Sequence, residues 1–151
     1  MEPSRSASPC ALITGSGSLG GIGFAAAKQL GLDGTRVVLT STTDRIHARV
    51  KELRSLGIEA TGHVTRLDTE ADVGRLFDDL RPTGTVPSIV VNNAGMTTVN
   101  DTQTDSGDIL TSVDAWNKSL TSNLTTAFLV SRAAVPAMRI AGWGGSSTFP
   151  A

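Results

Sequence analysis

The sequence predicts an α/β architecture, a doubly wound parallel sheet that is incomplete at about four strands and four helices. Three observations predict it. Short apolar runs alternate with helical patterns of about 10–15 residues, the rhythm of parallel strands joined by right-handed crossovers. The run Ser88-Ile89-Val90-Val91-Asn92 is apolar through its centre, as a strand covered on both faces should be. A Gly/Ser-rich turn, Gly15 to Gly21, separates the first strand from the first helix.

Each element has its own signal. Residues 1–9 are polar, with two prolines and three serines, and read as a disordered leader without the apolar centre of a signal peptide. The domain is expected over residues 10–144. Its first strand is Ala11–Thr14, and its first helix is the alanine-rich Ile22–Leu30, flanked at its exit by Gly31 and Gly34. Arg36–Thr40 is the second strand. Asp44 can cap the next helix, where Ile46, Val50 and Leu53 fall at helical spacing, and Gly57 closes it. Ile58–Val64 is a weaker strand containing Gly62. Asp68 or Thr69 starts a helix with Val73, Leu76, Phe77 and Leu80 on one stripe, and Pro82 stops it. Ser88–Asn92 is the fourth strand, followed by a polar loop from Met96 to about Thr111. The longest helix runs roughly from Ser112 to Met138, with Val113, Trp116, Leu120, Leu124, Ala127 and Phe128 on one side and Pro136 near its end.

Bulk properties exclude several classes. The 151 residues suit one domain with a real core, and the formal net charge of −1 gives no case for nucleic acid or an anionic membrane. No apolar run is long enough to span a bilayer. Cys10 is the single cysteine, so no intrachain disulfide forms, and a cytoplasmic setting is expected. His47 and His63 have no acid–base partners in the pattern and read as structural; no metal-ligand cluster is present.

In a doubly wound sheet, ligands bind beyond the carboxyl ends of the strands. The glycine loop, Thr40-Ser41 and Asn92–Gly95 all fall there. Glycines let the backbone turn tightly and approach a pyrophosphate, and the free N–H groups of the helix start point at the anion. Such a loop also serves elsewhere as a plain turn. No carboxylate stands at the end of the second strand to hold a ribose 2′-hydroxyl; Thr40-Ser41-Thr42-Thr43 do, followed by Asp44-Arg45. Hydroxyls and a guanidinium suit a 2′-phosphate and favour NADP over NAD. The alternative is that Thr43 or Asp44 caps a helix and Arg45 is a solvated first-turn residue. A P-loop is excluded, since no Lys-Ser/Thr follows Gly23.

These motifs resemble those of the short-chain dehydrogenase/reductase family, a Rossmann-type fold. The family's Thr-Gly-x-x-x-Gly-x-Gly is matched from Thr14 to Gly23 and its Asn-Asn-Ala-Gly at Asn92–Gly95, over about Cys10 to Gly144. Within the family the chain is most similar to 3-oxoacyl-(acyl carrier protein) reductases and related alcohol dehydrogenases. The resemblance implies NADP-dependent hydride transfer between a small-molecule carbonyl and an alcohol, in a protein that is usually homo-oligomeric. It implies that Gly15, Gly21, Ile22 and Gly23 line the pyrophosphate, with Ser16, Gly17 and Ser18 in the cradle. Ser41 and Arg45 would face the 2′-phosphate, Leu67 the adenine, and Asn93, Ala94 and Gly95 the ribose and nicotinamide. Asn123 matches the helix asparagine that holds a water in the family's proton relay.

Four departures matter. The loop from Gly15 to Gly21 is two residues longer than the family pattern. Arg66 stands where the family has an aspartate for the adenine amine, and Asp68 lies two positions on. The catalytic serine, tyrosine and lysine of the family have no counterparts, and the sequence contains no tyrosine. A phenol near pKa 10 with a cationic neighbour is the family's proton carrier, so this chain alone is expected to be inactive. It could instead be a non-catalytic nucleotide-binding module or a truncated product without function. Residues 145–151 read as an aberrant tail without strand pattern, leaving the fourth strand an exposed edge and the chain prone to self-association. A single-base deletion near the Gly144 and Gly145 codons would turn the family's fifth strand, Gly-Arg-Val-Val-Asn-Val-Ser-Ser, into this ending. Sequencing the gene tests that expectation.

Overall fold

The computed structural model describes residues 8–95 and 111–148. Its strands are β1 (Cys10–Ile13), β2 (Arg36–Ser41), β3 (Ala60–Val64), β4 (Ile89–Asn92) and β5 (Gly145–Thr148). Its helices are α1 (Ile22–Leu32), α2 (Arg45–Ser55), α3 (Glu70–Leu80), α4 (Val113–Leu120) and α5 (Thr126–Ala141). All strand pairs are parallel, and the sheet order is β3-β2-β1-β4-β5. The strands therefore share one carboxyl edge. The order reverses about β1, with β2 on one side and β4 on the other, which opens a crevice at that edge.

Alternation along the central strands builds two cores. Leu12, Val38 and Val90 pack with Val73, Leu76 and Leu80 of α3 and with Leu129, Val130, Ala134 and Met138 of α5. Ala11, Ile13, Val37, Leu39 and Val91 pack with Phe24 and Ala27 of α1 and with Ile46, Val50 and Leu53 of α2. Successive strand side chains point to opposite faces, so an unbroken apolar run is what a sheet covered on both faces requires. Thr69 caps α3 as expected, its hydroxyl accepting the Asp72 N–H at 3.1 Å.

Several expectations are corrected. Gly145–Thr148 is a strand: β5 pairs with β4 from Ile89↔Gly145 to Asn92↔Thr148, so β4 is not an edge. Sheet pairing is made by backbone groups, and Gly145 N–H donates to the Ser88 carbonyl at 3.0 Å without any apolar side chain's help. All four residues of β5 are exposed. Gly31 lies within α1 rather than beyond it; a Cβ there would collide with Ile58. Asp44 occupies the position before α2, yet its side chain makes no capping bond. The expected long helix is two, joined by a π-helical turn over Thr121–Thr125. The face expected from Trp116 to Phe128 is not the one on the sheet: Trp116, Leu120, Leu124 and Phe128 are exposed, and Leu129, Val130, Ala134 and Met138 make the core contact.

Residues 1–7 of the leader, the expected loop up to residue 110 and residues 149–151 lie outside the described residues. Among the described residues no helix is long and apolar enough to cross a membrane, and no three His, Cys, Asp or Glu side chains are grouped to hold a metal.

Candidate functional site

The chain leaving β1 and the chain leaving β4 are tied together at the crevice. Thr14, the first residue past β1, is buried. Its hydroxyl accepts the N–H groups of Asn93 at 3.0 Å and Ala94 at 2.9 Å. Its own N–H donates to the Val91 carbonyl at 3.0 Å. Asn93 returns the contact, its Nδ2 donating to the carbonyls of Thr14 (3.0 Å) and Gly15 (3.1 Å). Gly15 itself has φ +68°, and a Cβ there would lie 2.7 Å from Ala94 Cα and 2.9 Å from Ala94 N. The left-handed backbone and the close approach each demand glycine.

Beyond Gly15 the loop alternates between scaffold and surface. Ser16 turns inward: its N–H donates to the Thr40 carbonyl at 2.8 Å and its hydroxyl to the Ile13 carbonyl at 3.1 Å. Gly17 is buried against Ser41, where a Cβ would strike the Ser41 side chain. Ser18 stays exposed, and its carbonyl accepts the Gly21 N–H at 3.2 Å, closing a turn before α1. Gly21 precedes α1 with no side-chain cap, and the first turn, starting at Ile22, contains no acidic residue. The N–H groups of that turn and the positive end of the helix dipole are thus left for an anion. Gly23 packs under Asn93; a Cβ there would meet the Asn93 amide and sit 3.0 Å from Ser16 Oγ.

At the end of β2, Ser41 is buried and Arg45 is exposed at the start of α2. Among the described residues Arg45 has no carboxylate partner, whereas Arg66 pairs with Asp68 and Arg75 with Asp72. Leu67 is only 2% exposed and packs in the core with Val73 and Leu76, in a left-handed backbone of φ +67°. Its side chain offers almost no surface of its own to a ligand, as Ser16 of the glycine loop, 1% exposed, also does not.

The structure brings Asn123 to the β4 side of the crevice. It sits in the π-helical turn, where its Nδ2 donates to the Ser119 carbonyl at 3.0 Å. Gly95 has φ +144°, and a Cβ there would be 2.6 Å from Asn123 Oδ1 and 3.1 Å from the Ser122 carbonyl. Helices interrupted by such turns often do so at functional positions. Among the described residues, the two groups with a shifted pKa, Cys10 and His63, lie outside this turn. Burial pushes the Cys10 thiol up to about 11, so at the opposite end of β1 it stays protonated. Burial lowers the His63 imidazole, with Asp79 opposing.

Sequence reasoning missed Thr14 as a member of the site. Its signal was a polar side chain set between a buried apolar strand and the first glycine, where burial demands a hydrogen-bond partner.

Comparison with known proteins agrees with this fold. A family model described as short chain dehydrogenase matches residues 9–146. A 3-oxoacyl-(acyl-carrier-protein) reductase of Pseudomonas aeruginosa is 31% identical over 135 residues, covering 89% of this chain and 51% of that protein. The dehydrogenase/reductase SDR family member 4 of Rattus norvegicus is 32% identical over 139 residues, 91% of this chain and 47% of that protein. The chain spans about half the length of the curated relatives it matches. Among solved structures, a metagenomic short-chain oxidoreductase in complex with NADP superposes with a TM-score of 0.80 at 28% identity, over 93% of this chain and 61% of that one. Actinorhodin polyketide ketoreductase with NADPH gives 0.79 at 27% identity, over 93% and 52%.

Proposed function

The chain belongs to the short-chain dehydrogenase family, and on that premise we propose that it holds NADP, in preference to NAD, in the crevice between β1 and β4. The observation that carries the reading is the close approach of Gly15 to Ala94, whose N–H the Thr14 hydroxyl accepts, beside an uncapped helix start. The residues fit the group: glycine at Gly15 and Gly23 lets the loop lie close against Ala94 and Asn93, and the first turn of α1 carries no carboxylate to repel a pyrophosphate.

The turn Gly21-Ile22-Gly23 would bind the pyrophosphate through its N–H groups, with Gly15, Gly17 and Ser18 shaping the cradle and Ser16 bracing it from below. Ser41 and Arg45 would face the 2′-phosphate, and the lack of a β2 carboxylate there favours the extra charge. The backbone at Leu67, whose side chain is buried, would bound the adenine, and Asn93, Ala94 and Gly95 the ribose and nicotinamide. Asn123 would order a proton-carrying water beside Gly95. When bound in its reduced form, the cofactor would supply a hydride. In the protein as a whole the acceptor would be a small carbonyl compound, and the likeness to the Pseudomonas aeruginosa reductase supports a 3-oxoacyl thioester.

The absence of tyrosine favours a second reading for this chain by itself, a nucleotide-binding module without turnover. General acid–base assistance is worth ~10²–10⁴-fold, and Asn123 has no acidic proton to give. The test is titration of the chain with NADPH and NADH, followed by nicotinamide fluorescence. NADPH should bind tighter, and Arg45→Ala should weaken NADPH by about 1–3 kcal/mol. Equal affinity for the two overturns the cofactor preference. Turnover of a 3-oxoacyl thioester, abolished by Asn123→Ala, overturns the binding-only reading.

A further inference from the structure

We propose that Thr43 is a positioning residue that aims the Arg45 guanidinium, and that the discrimination between NADP and NAD depends on its hydroxyl; this rests on the 2′-phosphate reading above. Sequence pattern left Thr43 as a candidate helix cap. The structure gives its hydroxyl a different task. Arg45 Nε donates to Thr43 Oγ1 at 3.1 Å. Thr43 N–H donates to Ser41 Oγ at 3.2 Å, and the two hydroxyl oxygens lie 3.5 Å apart. Because Thr43 Oγ1 accepts from the arginine, its own proton is free to point at Ser41 Oγ. Ser41 in turn is buried and sits against Gly17 of the loop.

The three residues therefore form a chain of contacts from the glycine loop to an exposed cation. With Nε engaged, the four N–H donors on Nη1 and Nη2 remain, a fork that matches two phosphate oxygens. An unrestrained arginine would have to give up rotamer freedom on binding; one already held by Nε gives up less. The neighbouring carboxylate is turned elsewhere: Asp44 Oδ1 lies 3.9 Å from His47 Nε2, and among the described residues Asp44 makes no hydrogen bond or ion pair with Arg45. Ser41 keeps its own proton to donate, since both of its contacts with Thr43 can be accepted by the oxygen.

The test is calorimetric binding of NADP⁺ and NAD⁺ to the full chain; the two ligands differ only in the 2′-phosphate. Thr43→Val should weaken NADP⁺ roughly three- to tenfold, the scale of one lost hydrogen bond, and leave NAD⁺ unchanged. Thr43→Ser, which keeps the hydroxyl, should retain the NADP⁺ affinity. In an Arg45→Ala background, Thr43→Val should have no further effect, because the group it aims is gone. A chain that prefers NADP⁺, loses the preference in Arg45→Ala and keeps it in Thr43→Val overturns this proposal and leaves the 2′-phosphate reading standing. Equal weakening of both ligands by Thr43→Val also overturns it, as a merely structural effect. An unmutated chain with no preference for NADP⁺ overturns the underlying reading and this proposal together.

Discussion

Replacing Gly15 by alanine separates the two demands made on the glycine loop. The new Cβ would stand 2.7 Å from Ala94 Cα and 2.9 Å from Ala94 N, both backbone atoms with no rotamer to yield. The φ of +68° adds the penalty of a left-handed conformation, about 1–2 kcal/mol for a residue with a Cβ. Forcing the loop away from β4 adds about 1–3 kcal/mol, the usual cost of overpacking. The expected loss is thus about 2–5 kcal/mol, a large part of a domain's ~5–15 kcal/mol. Gly34 is the control: its φ is +88°, but nothing lies within 4 Å of a Cβ built there. Gly34→Ala should cost only the backbone part. Urea unfolding of both variants measures the difference, and NADPH titration shows whether the loop still cradles a nucleotide. If Gly15→Ala unfolds within about 0.5 kcal/mol of Gly34→Ala and binds nucleotide normally, the close approach to Ala94 is not what holds the crevice.

Other perturbations have definite signs. Thr69→Ala should destabilise by about 1 kcal/mol in urea unfolding, with Thr69→Ser near neutral, since the hydroxyl alone caps α3. Burial lowers the His63 pKa below its ordinary 6.5, so the unfolded chain binds the proton more readily. Stability should therefore fall as pH drops through about 6.5, and His63→Gln should flatten that slope in melts taken from pH 7.5 to 5.5. Trp116 and Phe128 are 59% and 58% exposed on consecutive helices. The chain's mass by light scattering should rise with concentration, and Trp116→Glu with Phe128→Glu should return it to the monomer mass. A concentration-independent monomer in the unmutated chain would refute that expectation.

What was legible in the sequence is what local chemistry determines. β1, β2 and β4 show as apolar runs because both faces of the sheet are covered. α3 shows because Thr69 caps it and Val73, Leu76 and Leu80 repeat at helical spacing. What was illegible depends on partners distant in sequence. The Thr14 hydroxyl finds Asn93 and Ala94 about 80 residues away, and no local pattern reports that. β5 forms through backbone pairing to β4, so Gly145-Ser146-Ser147-Thr148 carries no apolar mark. Gly31 looks like punctuation until Ile58 is packed against it. The stripe from Trp116 to Phe128 looks like a core face, yet the sheet takes Leu129, Val130, Ala134 and Met138 instead. Apolar spacing identifies a face; it does not say which neighbour covers it. Leu67 was placed near the crevice by resemblance, and its burial and positive φ depend on how the loop after β3 folds onto α3.

The central claim is that one nucleotide binds across the carboxyl ends of β1, β2 and β4. Backbone amide shifts of the isotopically labelled chain, recorded while NADPH is added, test it most directly. The account predicts saturable changes confined to Gly15–Gly23, Ser41–Arg45, the Leu67 loop and Asn93–Gly95, with Asn123 responding through Gly95. Changes centred on the α4–α5 surface, or no saturable change at all, would contradict it.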